Sequence, residues 1–368
     1  MDFGLSEEQQ QLRESARAFL SGECPASFVR KVMATDDGYS RELYAHIAKL
    51  GWTGLIVPEK FGGAGLGMLD MAMILEEGGY AAMPGPFLFS SVLAASALKL
   101  GGSEQLNSKW LGALAEGKAI GTVAVVESAG SIDPRDINAS ATKSDAGWRV
   151  DGVKMLVPYA NVADFIVVAA KDGAGEIFLF VVETKAPGVM IHSLKNLDLT
   201  RRVSSVELKG APAERLDGGT DLFAKLIDVA AVAVAADSLG GTERALEMAV
   251  DYSKVREQFG KPIGSFQALK HAAAEIVADV EPARAMLWYA AYAQDVGGAD
   301  ASRTAAMAKA RLCDIYSRGT DRAVLMHGGI GFTWEHDMHL WFKRARFNES
   351  YFGSPAFHRE RVAILGAY

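Results

Sequence analysis

The run Asp251–His271, DYSKVREQFGKPIGSFQALKH, decides how this chain is read. Upstream, Ser238–Ala249 repeats apolar and small residues at helical spacing, and Ala272–Leu287 does so again downstream, so two long helices flank a Gly260-Lys261-Pro262 corner. Just before the corner stand Arg256, Gln258 and Phe259: a permanent cation, an amide with donors and acceptor, and a flat apolar ring. That set suits a phosphate-bearing aromatic ligand. The plainer alternative is a solvated helix end with one buried phenylalanine.

Working outward, the chain has 368 residues, more than the roughly 250–300 that share one core, so two or three domains are expected. No apolar run reaches the ~18 residues of a membrane span, the most apolar being Val229–Ala236. The first twenty residues read as an acidic amphipathic helix rather than a secretory signal, which predicts a cytoplasmic protein without membrane attachment. Cys24 and Cys313 form no CxxC, which fits a reducing compartment and excludes a cysteine-built metal site. A net charge of −7 disfavours nucleic acid and anionic membranes as partners.

In chain order, Ser6 reads as the N-cap of a helix reaching Leu20, a second helix covers Arg41–Leu50, and helical spacing returns over Met68–Gly78 and Phe87–Leu100. The intervening glycine loop GGAGLG lacks the strand before it and the βαβ unit after it that a dinucleotide fingerprint requires. The texture then changes. Ala119–Val126, Gly147–Val153, Phe165–Ala170, Ile177–Glu183 and Ser204–Leu208 are short β-branched or alternating runs between Gly, Asp and Pro, and predict an antiparallel sandwich or barrel. From about Gly218 the pattern is helical again over Asp221–Tyr252, Ser265–Ala293, Ala301–Met326 and a terminal helix after Pro355. The expected class is mainly α with a central β domain: helical 1–118, β 119–212, and a C-terminal four-helix bundle in 213–368.

DFGLSEEQQQLRESARAF at the start, PEKFGGAGLG, RxQFGKPIGSFQ and HGGIGFTWEHDMH, in this order, resemble signatures of the acyl-CoA dehydrogenases. The resemblance implies their fold over essentially the whole chain, FAD as cofactor, an acyl-CoA thioester as substrate and an electron-transfer flavoprotein as acceptor. It further implies that Arg256, Gln258 and Phe259 reach the pyrophosphate and adenine end of another subunit's FAD, and that Gly328 and Gly329 let backbone approach the adenosine diphosphate. The family's Gln three residues before that glycine pair is Leu325 here.

Other positions depart from the family. Its catalytic Glu, in a Tyr-Glu-Gly-Thr run, is replaced by Phe352 in Tyr351-Phe352-Gly353-Ser354, and the base position of the branched-chain members falls near Ala230. A ring or a methyl takes no proton. The nearest remaining carboxylates are Glu349 and Asp237, weak candidates for a displaced base. The TEPGAGSD loop reads Val126–Asp133, VESAGSID, and the W-I-T segment reads Leu156-Val157-Pro158, without the hydroxyl that meets flavin N5. The pattern resembles the smaller subunits of heterotetrameric acyl-CoA dehydrogenases acting on steroid side chains, where a partner of the same fold supplies the carboxylate in an α2β2 assembly. Alternatives are a self-sufficient homotetramer with a displaced base, and a non-catalytic acyl-CoA or partner-binding protein. No metal is expected: His336 and His339 with His327 do not make HExxH. Lys343, Arg344 and Arg346 read as a basic face, solvated or meeting CoA phosphates.

Overall fold

A computed structural model describes residues 4–145 and 147–367, so Asp2 and Phe3 of the opening motif lie outside the described residues. Among the described residues six α-helices come first: α1 (Glu7–Glu23), α2 (Ala26–Met33), α3 (Arg41–Lys49), α4 (Met68–Tyr80), α5 (Ala95–Gly101), which continues a π-helical segment over Leu88–Ala94, and α6 (Glu104–Ala115). Ser6 caps α1 as expected, its hydroxyl accepting from the Gln9 amide while the Gln9 side-chain oxygen accepts from the Ser6 amide. The Gly62–Gly67 loop opens no βαβ unit, and α4 follows it directly.

The β segment contains β1 (Gly121–Ala124), β2 (Ser140–Ser144), β3 (Gly147–Pro158), β4 (Phe165–Lys171), β5 (Ile177–Glu183), β6 (Val189–Leu194) and β7 (Val203–Arg215). Five strands pair in a closed circuit, β4-β2-β3-β7-β5 and back to β4, with β1 added to β4 and β6 to β7. Closure removes most edges and buries Val150, Ile166, Val168, Phe180, Val182, Val206 and Leu208 together. Most pairings are antiparallel, but β1 runs parallel to β4. Two strands, β2 and β6, were not expected. Their sequences SATKS and VMIHSL are largely polar or half exposed, because one face of each lies toward water.

The remainder is helical: α7 (Gly219–Val255), α8 (Gln267–Val296), α9 (Ala301–His327), α10 (Met338–Ser350) and α11 (Pro355–Leu365). By internal contacts the chain forms two compact units. One gathers Met1–Arg30, Ala72–Met83 and Ala231–Tyr368, the other Lys31–Met71 and Pro84–Ala230. Within the first, α9 is the central helix, packed by α8, α10 and α11, and buries Ala305, Ala306, Ala308, Leu312 and Ile315. Within the second lies the closed sheet. Among the described residues no helix is long and apolar enough to cross a membrane.

Candidate functional site

The corner after α7 is a miniature hairpin rather than a bare helix end. Glu257 pairs with Pro262 and Gln258 with Lys261, which leaves Phe259 and Gly260 as the two residues of the turn. Both have positive φ, +54° and +76°, the pattern of a type I′ turn. Glycine adopts this freely, whereas phenylalanine pays a steric cost of about 1–2 kcal/mol. The ring is not buried, contrary to the plainer alternative above: Phe259 is 91% exposed, held edge-on to Phe266 at 6.0 Å. A backbone bond from Ile263 N–H to the Arg256 carbonyl, 2.8 Å, braces the base of the hairpin.

Behind the hairpin is a cavity of about 710 Å³, lined by Arg256, Gln258, Phe259, His327, Gly328 and Gly329 among others. The end of α7, the hairpin, the start of α8 and the end of α9 all contribute to its lining, so residues far apart in sequence meet there. At Gly328 and Gly329 an added Cβ would meet only open space, so the bare backbone fronts the opening. Sequence reasoning missed Tyr252, whose ring stacks on His327 with centroids 4.8 Å apart. Its signal was the spacing, since Tyr252 stands one turn before Arg256 on the same helix face. Nδ1 of His327 donates to the Ala323 carbonyl at 2.7 Å, and burial pushes its pKa down, so this wall is neutral near pH 7. The cation of the cavity is Arg256, which no carboxylate neutralises among the described residues. An apolar floor, a solvent-facing guanidinium, an amide and open glycine backbone fit a flavin dinucleotide's diphosphate and adenine.

The histidines beyond it do not assemble a metal centre. His336 lies 4.4 Å from His327 ring to ring, and His339 sits between the Arg30 and Lys343 cations at 3.3 Å each. Burial first, and those two cations next, push the His339 pKa down to about 4. Among the described residues no three His, Cys, Asp or Glu groups converge on a metal position. Nor do Lys343, Arg344 and Arg346 make one basic face. Lys343 covers the Trp334 ring at 3.7 Å, Arg346 bonds Asp321 and Glu349, and Arg344 is buried.

Phe352, expected from the resemblance to replace a catalytic Glu, is 2% exposed with φ +54° and stacks edge-on to Tyr351 at 4.6 Å. The turn around it is clamped. Lys309 Nζ donates to the carbonyls of Asn348 at 2.8 Å and Gly353 at 2.9 Å, and His358 Nε2 faces the Phe352 carbonyl at 2.7 Å. Ala230 is buried. Asp237, 2% exposed, accepts from two guanidinium nitrogens of Arg344 and from Asn348 Nδ2 at 2.6 Å. Glu349 accepts from the Ser317 hydroxyl at 2.6 Å and from Arg346 at 3.2 Å. Both acids are occupied by donors.

In the second unit, Glu127 of the Val126–Asp133 loop accepts from Lys154 Nζ at 2.7 Å and from the Asn138 and Ala139 amides at 2.9 and 3.0 Å. Burial acts to raise the Glu127 pKa, but the Lys154 charge and these bonds together pull it below its ordinary value. Pro158 presents only its carbonyl, which the Thr122 hydroxyl donates to, while Leu156 is exposed with φ +53°.

Two family models match the chain, the N-terminal domain of acyl-CoA dehydrogenase over residues 6–118 and its C-terminal domain over 217–364. The acyl-CoA dehydrogenase IpdE2 of Mycolicibacterium smegmatis is 33% identical over 364 residues, covering 99% of each chain. Among solved structures, a chain of the ChsE4–ChsE5 complex from Mycobacterium tuberculosis superimposes with a TM-score of 0.93 at 31% identity, covering 100% of this chain and 99% of that one. Butyryl-CoA dehydrogenase from Megasphaera elsdenii gives 0.91 at 26% identity, covering both chains entirely. With its helical, β and helical segments in the same order, the chain belongs to the acyl-CoA dehydrogenase family, FAD-dependent oxidoreductases acting on a CH–CH bond.

Proposed function

We propose that this chain is a subunit of a hetero-oligomeric acyl-CoA dehydrogenase, in which it lends FAD contacts and a homologous partner supplies the catalytic carboxylate. The observation that carries this is Phe259, 91% exposed on a strained turn beside the Arg256 guanidinium. Strain and an exposed ring are both unfavourable in an isolated chain, and both are offset when the ring covers a ligand. Arg256 would bind the diphosphate, Gln258 and Phe259 the adenine end, and the backbone of Gly328–Gly329 would admit the nucleotide closely.

When bound, FAD accepts the hydride from the acyl β-carbon. The α-proton needs a carboxylate, and this chain's nearest acids are spent: Asp237 balances Arg344, and Glu349 is bonded to Ser317 and Arg346. Phe352 and Pro158 occupy the positions where the family's base and N5-contacting hydroxyl stand, and two departures at separate positions are better accounted for by a site no longer used than by one rebuilt. These observations favour the partner-dependent reading over a homotetramer with a displaced base. The likeness to a chain of the ChsE4–ChsE5 complex supports a partner of the same fold. Within this reading, residues 1–118, 119–212 and 213–368 are the three domains, the enzyme is cytoplasmic, and an electron-transfer flavoprotein reoxidises it.

Arg256→Ala tests the contact. A charge-assisted bond of about 1.5–3 kcal/mol is lost, so FAD affinity of the assembled complex falls about tenfold or more, read as flavin retained per protein after gel filtration. Unchanged retention removes Arg256 from the site.

A further inference from the structure

Away from the cavity, α9 buries an amine and a thiol one turn apart on the same face. Lys309 and Cys313 are each 0% exposed. The Asn348 carbonyl oxygen accepts from both, from Lys309 Nζ at 2.8 Å and from Cys313 Sγ at 3.5 Å, so the two side chains converge on one atom. Lys309 has carbonyl oxygens as its acceptors, those of Asn348, Gly353 and, at 3.5 Å, Glu349. Burial pushes its pKa down, which raises the fraction present as neutral, nucleophilic amine. The i, i+4 spacing on a rigid central helix keeps the pair together.

We infer that Lys309 and Cys313 are a redox modification site that closes to a covalent sulfur–nitrogen bridge. Hydrogen peroxide oxidises the Cys313 thiol to a sulfenic acid and is reduced to one water. The Lys309 amine then attacks the sulfenic sulfur; the S–O bond breaks, the Sγ–Nζ bond forms, and the departing hydroxyl leaves with a nitrogen proton as a second water. Overall, sulfur loses two electrons to peroxide and the protein loses two hydrogens.

Closure has a consequence for the turn at Phe352. The bridged nitrogen is uncharged and keeps one hydrogen, so it no longer donates to the Asn348 and Gly353 carbonyls together. The clamp on the Tyr351–Ser354 turn loosens, which couples oxidation to the place where Phe352 is held in a left-handed conformation.

The test treats the full folded chain with hydrogen peroxide, blocks remaining thiols, digests with trypsin and reads masses. Trypsin cuts after Arg311, between the two residues, so the bridge leaves two peptides joined, uncut at Lys309, two hydrogens lighter than their sum, and separable by dithiothreitol. Cys313→Ser abolishes the joined species, and hydrogen exchange of 351–354 rises on oxidation and returns on reduction. The inference is overturned if the folded wild type yields unjoined peptides with Cys313 unmodified or as sulfinic acid, or a Cys24–Cys313 disulfide. It is overturned equally if urea-unfolded chain gives as much joined product, since the fold would then contribute nothing.

Discussion

Phe259 lies in a backbone region that suits glycine or asparagine and carries a ring that water does not favour. Asparagine is the residue a type I′ turn prefers, so Phe259→Asn is expected to stabilise the chain by about 1 kcal/mol while lowering flavin retention in the complex. Urea denaturation and flavin content, measured on the same preparation, check the two halves; a variant that loses both stability and flavin contradicts this role. The two displaced-base candidates separate in the same way. Asp237→Asn leaves the Arg344 charge buried without its counter-ion and costs about 3–5 kcal/mol, whereas Glu349→Gln, at the half-exposed edge of α10, changes stability little. Neither should change the rate at which acyl-CoA reduces the flavin of an intact complex, measured by stopped flow. A fall of two or more orders of magnitude in either, with fold and FAD intact, would make that residue the base.

At the scale of elements, the closed sheet depends on the loop that Glu127 ties to Lys154 of β3. Because the Glu127 carboxyl is held below its ordinary pKa of 4.5, its stabilisation is complete above that value and is lost as pH falls through the depressed one. Glu127→Gln is therefore expected to be less stable at neutral pH and to show a flatter decline on acidification than wild type, followed by urea midpoints across the acid range. An identical acid slope in both would remove the pair from the account. The helices were legible because their apolar periodicity and caps are local, as at Ser6, and β4 and β5 because each is a short, continuous apolar run that the sheet buries. Strands β2 and β6 were not, since their partners supply the burial that their own residues do not advertise. The corner between α7 and α8 was legible from its Gly260 and Pro262, but its hairpin form was not, because no local rule places Phe in a type I′ turn.

On the scale of the whole molecule, the architecture and the candidate cavity were legible from four ordered motifs, while what those residues touch was not. Arg344 reads as part of a basic surface until α7 is seen to bring Asp237 against it, and Lys309 gives no sequence sign of clamping the Phe352 turn. Charge pairing of this kind is a property of packing, and single-chain periodicity does not carry it. In the proposed enzyme two chains share the work, one lending flavin contacts and one supplying the base. The direct measurement is the flavin absorption spectrum of this chain purified alone and co-purified with a homologous partner, followed by anaerobic addition of acyl-CoA. The chain alone should retain no flavin, and with the partner it should hold FAD that bleaches on acyl-CoA. A chain that, by itself, holds FAD and is bleached by acyl-CoA contradicts this.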